Sequence, residues 1–332
     1  MRSNTNKPSI GVVFGGTSAE RDISVATGIN VCINISTDSY NVTPVLITSE
    51  GKYSFGDIGQ NPKELTPNGA VPIDLAIGKL REFDAIFNAM HGPFGEDGTF
   101  QAFLSLIGVP CTGSGMAASA LAMDKMRARM VMNQVGLPTP KSEYLFSRED
   151  HVHMTLPVVI KPNQSGSSYG VSIVKKSDDL ERAIEHAFEY DSIVIAEEFC
   201  AGLEITCAVI DRGKGDIQAL PVTSIEPVVS SFFDLRAKYE KGASIETTPA
   251  RISEEASKLA QELALKTHKA IGCSGVTRTD MFLLEDGSIK IIEINTLPGM
   301  TDTSLVPQAA KCVGISFGEL LGIIIEESLG RP

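Results

Sequence analysis

The amino-acid sequence predicts an α/β protein of two or three domains that begins with an open parallel sheet, and three observations carry this. The chain has 332 residues, too many for one typical domain, and 42% are apolar, enough for more than one core. In the first third, short apolar runs alternate with glycine turns and helical periodicity, as in strand-helix-strand units. Near the far end, the stretch V-T-R-T-D-M-F-L-L-E-D-G-S-I-K-I-I-E-I-N from Val276 to Asn295 reads as a two-stranded hairpin.

Taken in order, Ile10 to Phe14 is a strand running into Gly15-Gly16-Thr17-Ser18-Ala19-Glu20, and Val25, Ile29 and Cys32 then recur at helical spacing. Such a turn can set a ligand against a helix N-terminus. Glu20 reads equally as part of a Thr17-x-x-Glu20 capping box. Val42 to Ile47 is a second strand. Phe83 to Ala89 is a third, leading into the tight loop His91-Gly92-Pro93-Phe94-Gly95-Glu96-Asp97-Gly98, at a strand end where open α/β sheets bind ligands. Thr99 to Ile107 is a helix closed by Gly108, and Val109 to Thr112 a further strand. Gly113-Ser114-Gly115-Met116-Ala117-Ala118 matches the dinucleotide pattern G-x-G-x-x-A, without the acidic residue about 20 positions on that completes it. One long helix is expected over 117–135, with a domain boundary near Ser114.

Leu156 to Lys161 and Val171 to Val174 bracket the loop Pro162-Asn163-Gln164-Ser165-Gly166-Ser167-Ser168-Tyr169-Gly170. Its small residues offer backbone N–H groups and hydroxyls to phosphate oxygens, with Lys161 at its base. It reads equally as a solvent loop beside a strand-end lysine. No G-x-x-x-x-G-K-[ST] occurs, which excludes a P-loop NTPase. Ser177 opens a helix, Ile193 to Glu197 is a strand, and Glu204 lies on the strand Leu203 to Ile210, followed by a glycine turn into Ile217 to Thr223. From Glu226 to Arg251 no period is sustained, the mark of a lid or binding loop. Ser253 caps an amphipathic helix ending at Gly272, and after the hairpin a loop of small residues precedes a terminal helix to Leu329.

In the hairpin, a two-residue turn at Asp286-Gly287 pairs Glu285 with Ser288, hence Asp280 with Glu293 and Arg278 with Asn295 on one face. Phe282, Leu284, Ile289 and Ile291 are expected on that face, and Met281, Leu283, Ile292 and Ile294 on the other. Two carboxylates opposed across a ladder repel unless something positive lies between them. Oxygen donors of this kind suit Mg²⁺, commonly held by carboxylates together with substrate phosphates.

Bulk properties narrow the classes. A net charge of −12 with no basic run argues against nucleic acid or an anionic membrane as partner. The first nine residues lack a signal-peptide core and no segment approaches ~20 uninterrupted apolar residues, so a cytoplasmic location is expected. Six cysteines without a C-x-x-C pair argue against a zinc site or a disulfide scaffold.

Together, G-G-T-S-A-E, H-G-x-x-G-E-D-G, the K-P…G-S-S-x-G loop, E-x-x-x-x-G-x-E, Lys238-Tyr239, R-x-D and E-x-N-T-x-P-G-x-T occur in an order that resembles the D-alanine:D-alanine ligases of the ATP-grasp superfamily, from Ile10 to about Leu329. The resemblance implies a three-domain ATP-grasp architecture: residues 1–113 as an N-terminal α/β substrate-binding domain, 114–200 as the central small domain and 201–332 as the catalytic domain, with ATP between the last two. It implies ATP-dependent joining of two D-alanines through a D-alanyl phosphate, in peptidoglycan precursor synthesis.

By the same resemblance Lys125, Lys161, Ser168 and Lys238 belong to the ATP site, and Glu197 and Glu204 bind adenine amine and ribose. Asp280, Glu293 and Asn295 hold two Mg²⁺ or Mn²⁺ ions. Glu20 takes the first substrate's ammonium, Ser304 and Leu305 N–H the second substrate's carboxylate, and Arg278 and the Gly299 N–H the oxyanion. Ser167, Tyr239 and Glu20 form a trio tying lid to site, with His91 near the substrates as proton acceptor. The lid tyrosine favours a dipeptide product, and the family is commonly dimeric. Rival readings are a related ligase using D-lactate or D-serine as second substrate, a nicotinamide-dependent oxidoreductase using Gly113-Ser114-Gly115, and a non-catalytic nucleotide-binding regulator.

Overall fold

The computed structural model describes residues 7–166, 169–227, 244–301 and 303–331. Ser167, Ser168, Lys238 and Tyr239 lie outside the described residues. Three sheets organise the chain. The first contains β1 (Ser9–Gly15), β2 (Asn41–Ile47), β3 (Tyr53–Phe55) and β4 (Ala85–Asn88) in the order β3-β2-β1-β4. β2 and β4 run parallel to β1, and β3 antiparallel to β2. β1 is buried on both faces, the condition of a strand in a parallel sheet covered by helices. Gly15, at φ +92°, is required where it stands, since a Cβ there would lie 2.3 Å from the Ile47 carbonyl oxygen.

Helix α1 (Arg21–Asn34) does not open with the expected capping box, because its N-cap is Glu20, with no side-chain cap bond. Ser24 ties the helix down instead, its Oγ accepting from Gly15 N–H (2.8 Å) and donating to Ala89 O (2.9 Å). α2 (Ile73–Leu80) and α3 (Thr99–Leu106) complete this unit. The strand expected at 109–112 contracts to one parallel bridge, Ile86 with Cys111.

The single helix expected over 117–135 is two: α4 (Met116–Met123) and α5 (Lys125–Gln134). Asp124 breaks it, extended at ψ 91°, with a side chain that accepts from Arg127 N–H. Apolar positions of both helices join the core of the third sheet, so they pack there rather than on the second. The second sheet, β5 (Ser142–Leu145), β6 (Val158–Pro162), β7 (Ser172–Val174) and β8 (Val194–Glu198), runs β5-β8-β6-β7, entirely antiparallel. α6 (Leu180–Ala187) covers it with Ala183, Ile184 and Ala187.

The third sheet holds β9 (Gly202–Asp211), β10 (Ile217–Ala219), β11 (Thr223–Pro227), β12 (Ser244–Thr247), β13 (Val276–Leu284) and β14 (Ile289–Asn295). Its path is β12-β11-β9-β13-β14, with β10 also on β9. The strand expected from Ile217 to Thr223 is thus divided, and β12 lies in the stretch expected to lack regular structure. α7 (Glu254–Ile271) has the expected ends: Ser253 Oγ accepts from Ala256 N–H (3.1 Å), and Gly272 closes it at φ +78°.

The β13–β14 hairpin reaches the expected pairing by another route. Its turn spans three residues, with Leu284 N–H donating to Ser288 O (2.8 Å), Gly287 N–H to Leu284 O (3.0 Å), and Gly287 at φ +81°. That shifts the register by one, so that Leu283 faces Ile289 and Met281 faces Ile291. A bulge beyond Met281 restores it, and Asp280 faces Glu293 while Arg278 faces Asn295. Between the two irregularities the β14 faces are exchanged. Ile289 and Ile291, expected beside the acids, are buried with Met281 under α7, while Ile292 joins Phe282 and Glu293 in a cleft wall.

The terminal helix is a pair, α8 (Leu305–Cys312) and α9 (Phe317–Leu329), bent by 104°. Val306, Ala310, Leu320 and Ile324 return to pack on Ile10, Val12 and Phe14 of the first sheet. Among the described residues no single helix is long and apolar enough to cross a membrane.

Candidate active site

Two cavities meet between the sheets. One, of about 140 Å³, lies between the second and third sheets, with apolar walls at Val159, Ile173, Phe282 and Ile292 and polar groups at Lys125, Lys161, Glu197 and Glu204. The other, of about 560 Å³, reaches the first sheet at Glu20 and His91 and the start of α8 at Ser304 and Leu305. Lys125, Gly166, Asp280 and Glu293 line both, so they stand where the contents of one cavity would touch those of the other.

Lys125 is the first residue of α5, placed there by the break at Asp124. Its Nζ donates to Ser165 O (2.8 Å) and lies 3.2 Å from Glu293 Oε2. Asn163 fixes the loop after β6 to this helix start, its Oδ1 accepting from Met126 N–H (2.7 Å). Lys161, on β6, points into the same cleft, with its Nζ 2.9 Å from Glu197 Oε1. Glu197 Oε2 is held by Arg129 of α5, itself 1% exposed. Burial pulls the Lys161 ammonium down from 10.5 to about 8 against the attraction of Glu197, and Arg129 adds to the fall. Burial pushes the Glu197 carboxyl up, but Arg129 and Lys161 outweigh it and hold the group below the usual carboxylate range.

At the acid pair, Arg278 grips Asp280 with two bonds, Nε to Oδ1 at 2.8 Å and a terminal nitrogen to Oδ2 at 2.7 Å, and Thr206 Oγ1 donates to Oδ1 (2.7 Å). The positive charge required between opposed carboxylates is supplied by Arg278 on one side and Lys125 on the other. Asn295 Oδ1 accepts from Leu297 N–H (2.8 Å), which turns the chain out of β14. Among the described residues no three His, Cys, Asp or Glu side chains could hold a metal. Two carboxylates and an amide oxygen are a hard donor set, incomplete alone, and fit a Mg²⁺ that brings phosphate oxygens as its other ligands.

In the larger cavity, both ring nitrogens of His91 are engaged: Nε2 with Thr27 Oγ1 (3.0 Å) and Nδ1 with Glu96 Oε1 (3.1 Å). Gly166 brings the loop after β6 against Glu20, whose Oε1 would lie 2.9 Å from a Cβ at 166. Gly299 faces Ser304, whose Oγ accepts from Thr301 N–H (3.0 Å). Ser304 N–H donates to Thr301 O (2.9 Å), which leaves the first N–H groups of α8, beginning at Leu305, as the donors facing the cavity.

With this geometry in hand, two family models match the chain, "D-ala D-ala ligase N-terminus" over residues 9–114 and "D-ala D-ala ligase C-terminus" over 131–326. The D-alanine–D-alanine ligase of Leptospira interrogans is 40% identical, with 97% of this chain and 98% of that protein covered. The chain belongs to the D-alanine–D-alanine ligase family. Among solved structures it is similar to the D-Ala:D-Ser ligase VanG of Enterococcus faecalis (35% identity, TM-score 0.85, 98% of this chain and 100% of the other). It is also similar to the Bacillus anthracis D-alanine–D-alanine ligase complexed with ATP (32% identity, TM-score 0.79, 97% of each). These matches bear out the ATP-grasp ligase expectation.

The dinucleotide alternative finds no support, and the packing explains the false match. Ser114 Oγ is held between Ser274 N–H (3.2 Å) and Ser274 O (3.3 Å), and Arg331 donates to Gly113 O (2.6 Å) and Cys111 O (3.2 Å). The glycines there seat one unit on another. Of the expected site residues, Glu20, His91, Lys125, Lys161, Glu197, Glu204, Arg278, Asp280, Glu293, Asn295, Gly299, Ser304 and Leu305 line the joined cavities. The Glu197 carboxylate holds Lys161 and Arg129. Sequence reasoning missed Arg129, which reads as one more polar position on a helix, and Glu246, which lines the larger cavity from β12 and accepts from Gln308 Nε2 (3.0 Å).

Proposed function

We propose that this chain joins two D-alanine molecules at the expense of ATP, releasing ADP and phosphate through a D-alanyl phosphate, in peptidoglycan precursor synthesis. The observation that carries the proposal is the meeting of an apolar-walled cleft with a polar cavity at Lys125, Gly166, Asp280 and Glu293. A nucleotide base fits between Val159, Ile173, Phe282 and Ile292, with Glu204 for the ribose. Its phosphates then extend toward Lys161 and Lys125, and Ser168 and Lys238 complete that site. The Glu197 carboxylate serves the nucleotide by holding Lys161.

Asp280, Glu293 and Asn295 are the residues for two Mg²⁺ or Mn²⁺ ions, which when bound neutralise phosphate charge and align the transfer. Glu20 takes the first ammonium and sets its carboxylate toward the γ-phosphate. Ser167 and Tyr239, outside the described residues, are proposed to act with Glu20. The N–H groups at the start of α8 take the second carboxylate, Leu305 directly and Ser304 through its hold on the loop. The second amine attacks the acyl carbon, and the oxyanion is met by Arg278 and the Gly299 N–H; one such donor is typically worth ~10²-fold in rate. His91 orders the wall between Thr27 and Glu96. Residues 1–113, 114–200 and 201–332 are proposed as the three functional units, with the packing of α4 and α5 on the third sheet joining the second to the third. We further propose a cytoplasmic homodimer, which light scattering and cell fractionation test.

The deciding measurement is ADP release with D-alanine against L-alanine, with product identification; absence of D-alanine-dependent ADP overturns the proposal. The similarity to VanG favours D-serine as the second reading for the acceptor. Competition between D-alanine, D-serine and D-lactate decides it, and a depsipeptide as main product at neutral pH overturns the dipeptide assignment.

A further inference from the structure

Arg129 is the largest fully buried side chain of the chain among the described residues, and nothing in the reaction as proposed uses it. It projects from α5, which packs on the third sheet, and crosses to the second. One terminal nitrogen donates to Ser142 Oγ on β5 (2.5 Å), and the other to Glu197 Oε2 on β8 and to Ile292 O on β14 (3.3 Å). A buried arginine is costly to desolvate, and hydrophobic packing between a helix and two sheets would not require one.

The arrangement of the three charges gives it a purpose. Glu197 presents one oxygen to Arg129 and the other to Lys161, so two cations share one anion. Without Arg129, both oxygens would turn to Lys161 and form a neutral, buried pair. With it, the group keeps a net positive charge, and Lys161 lines the cleft. We propose that Arg129 is a positioning residue for the nucleotide: by occupying one oxygen of Glu197 it keeps Lys161 available as a cation to the bound polyphosphate. The inference rests on the reading of the cleft as an ATP site. The charges acting on Lys161 are Glu197, Arg129, Glu293 and Lys125, and of these only Glu197 and Arg129 belong to the shared unit.

The test is calorimetric binding of Mg-ATP to the full chain across about pH 7 to 9, for wild type, Arg129→Gln, Arg129→Lys and Glu197→Gln, with melting temperatures measured alongside. At about pH 7, Arg129→Gln is expected to weaken binding about 10-fold or more, the scale of a lost charge-assisted contact, and Arg129→Lys to restore most of it. Wild-type affinity should fall as pH rises through about 8, where Lys161 loses its proton. Removing the like charge in Arg129→Gln moves that fall upward by about 1 pH unit or more, and removing the opposite charge in Glu197→Gln moves it downward. A purely structural arginine would lower the melting temperature and weaken binding by one factor at every pH. An unmoved pH profile in the folded variants, or wild-type affinity in Arg129→Gln, overturns the inference. If Arg129→Gln does not fold, Arg129→Lys decides: a folded Arg129→Lys that binds Mg-ATP about 10-fold more weakly than wild type at about pH 7 overturns the inference. Wild type that binds no Mg-ATP overturns the nucleotide reading, and this inference with it.

Discussion

Changing Glu293 to Gln separates the proposed metal role of the acid pair from its structural role. Asp280 and Glu293 are direct cross-strand partners. At the ~5 Å typical of such pairs, and an effective dielectric of ~20, two full charges repel by about 3 kcal/mol. In the ligand-free protein Lys125, 3.2 Å from Glu293, offsets part of this. Glu293→Gln removes the repulsion and one ion pair together, and these oppose each other. Stability without nucleotide should therefore change by no more than about 1 kcal/mol. Turnover should fall at least ~10²-fold, because a neutral amide would not offset the positive charge of a bound metal as the carboxylate would. Asp280→Asn should behave differently. It strips Arg278 of a two-bond partner in a largely buried setting and weakens the Thr206 bond, and breaking such a pair from one side costs ~3–5 kcal/mol. Both variants are to be followed by coupled ADP release and by urea unfolding. Near-wild-type turnover in Glu293→Gln refutes the metal assignment, and equal destabilisation by both changes refutes the charge argument.

Three further outcomes are expected. Lys161 is depressed to about 8 in the folded chain from 10.5, so the native state binds fewer protons than the unfolded one between those values. The sign follows: the cost of the buried charge is fully present below about 8 and is relieved as pH rises toward 10.5. Lys161→Met should therefore unfold at higher urea than wild type when Arg129 alone still neutralises Glu197, while kcat/KM for ATP drops about 10-fold or more; lower stability together with normal ATP kinetics contradicts the assignment. Gly166→Ala places a Cβ 2.9 Å from Glu20 Oε1, so the KM for the first D-alanine should rise several-fold with that for ATP changed less; the reverse split would place Glu20 elsewhere in the reaction. Ser304→Ala removes the hydroxyl that accepts from Thr301 N–H, which should cost ~1 kcal/mol in stability and raise the KM of the second D-alanine, and titration of both substrates separates the two sites.

The parts of the fold legible in the sequence were those whose signals are local. Short apolar runs between turns marked β1, β2 and β4, and Ser253 with Gly272 marked both ends of α7. Elements held by distant partners were not legible. β5 and β12 are four residues each and acquire their pairing from β8 and β11, while the α4–α5 break depends on one aspartate that reads as an ordinary helix position. The hairpin shows a subtler limit. The Asp280–Glu293 pairing came from an assumed two-residue turn, whereas the chain uses a three-residue turn and a compensating bulge. The pairing at the Asp280–Glu293 end therefore agrees with the structure, and the faces of Ile289, Ile291 and Ile292 do not. Arg129 escaped for a similar reason: its partners Ser142, Glu197 and Ile292 are 13, 68 and 163 positions away.

The cation placements pair acids that line the joined cavities. Lys125 rests on Glu293, Arg278 on Asp280, and Lys161 shares Glu197 with Arg129. Each carboxylate proposed to hold metal is thus already paired with a lysine or arginine proposed to meet substrate. On the proposed assignment, Asp280 and Glu293 would hold the metal, which would supply charge neutralisation for phosphate, and Lys125 and Arg278 would then be released to meet phosphate and the reacting carboxyl group. Such an exchange would leave neither Asp280 nor Glu293 unpaired, which matters because an unpaired charge in a partly buried site costs several kcal/mol. Arg129 and Glu197, buried and bonded to three elements, hold Lys161 and would stand outside that exchange.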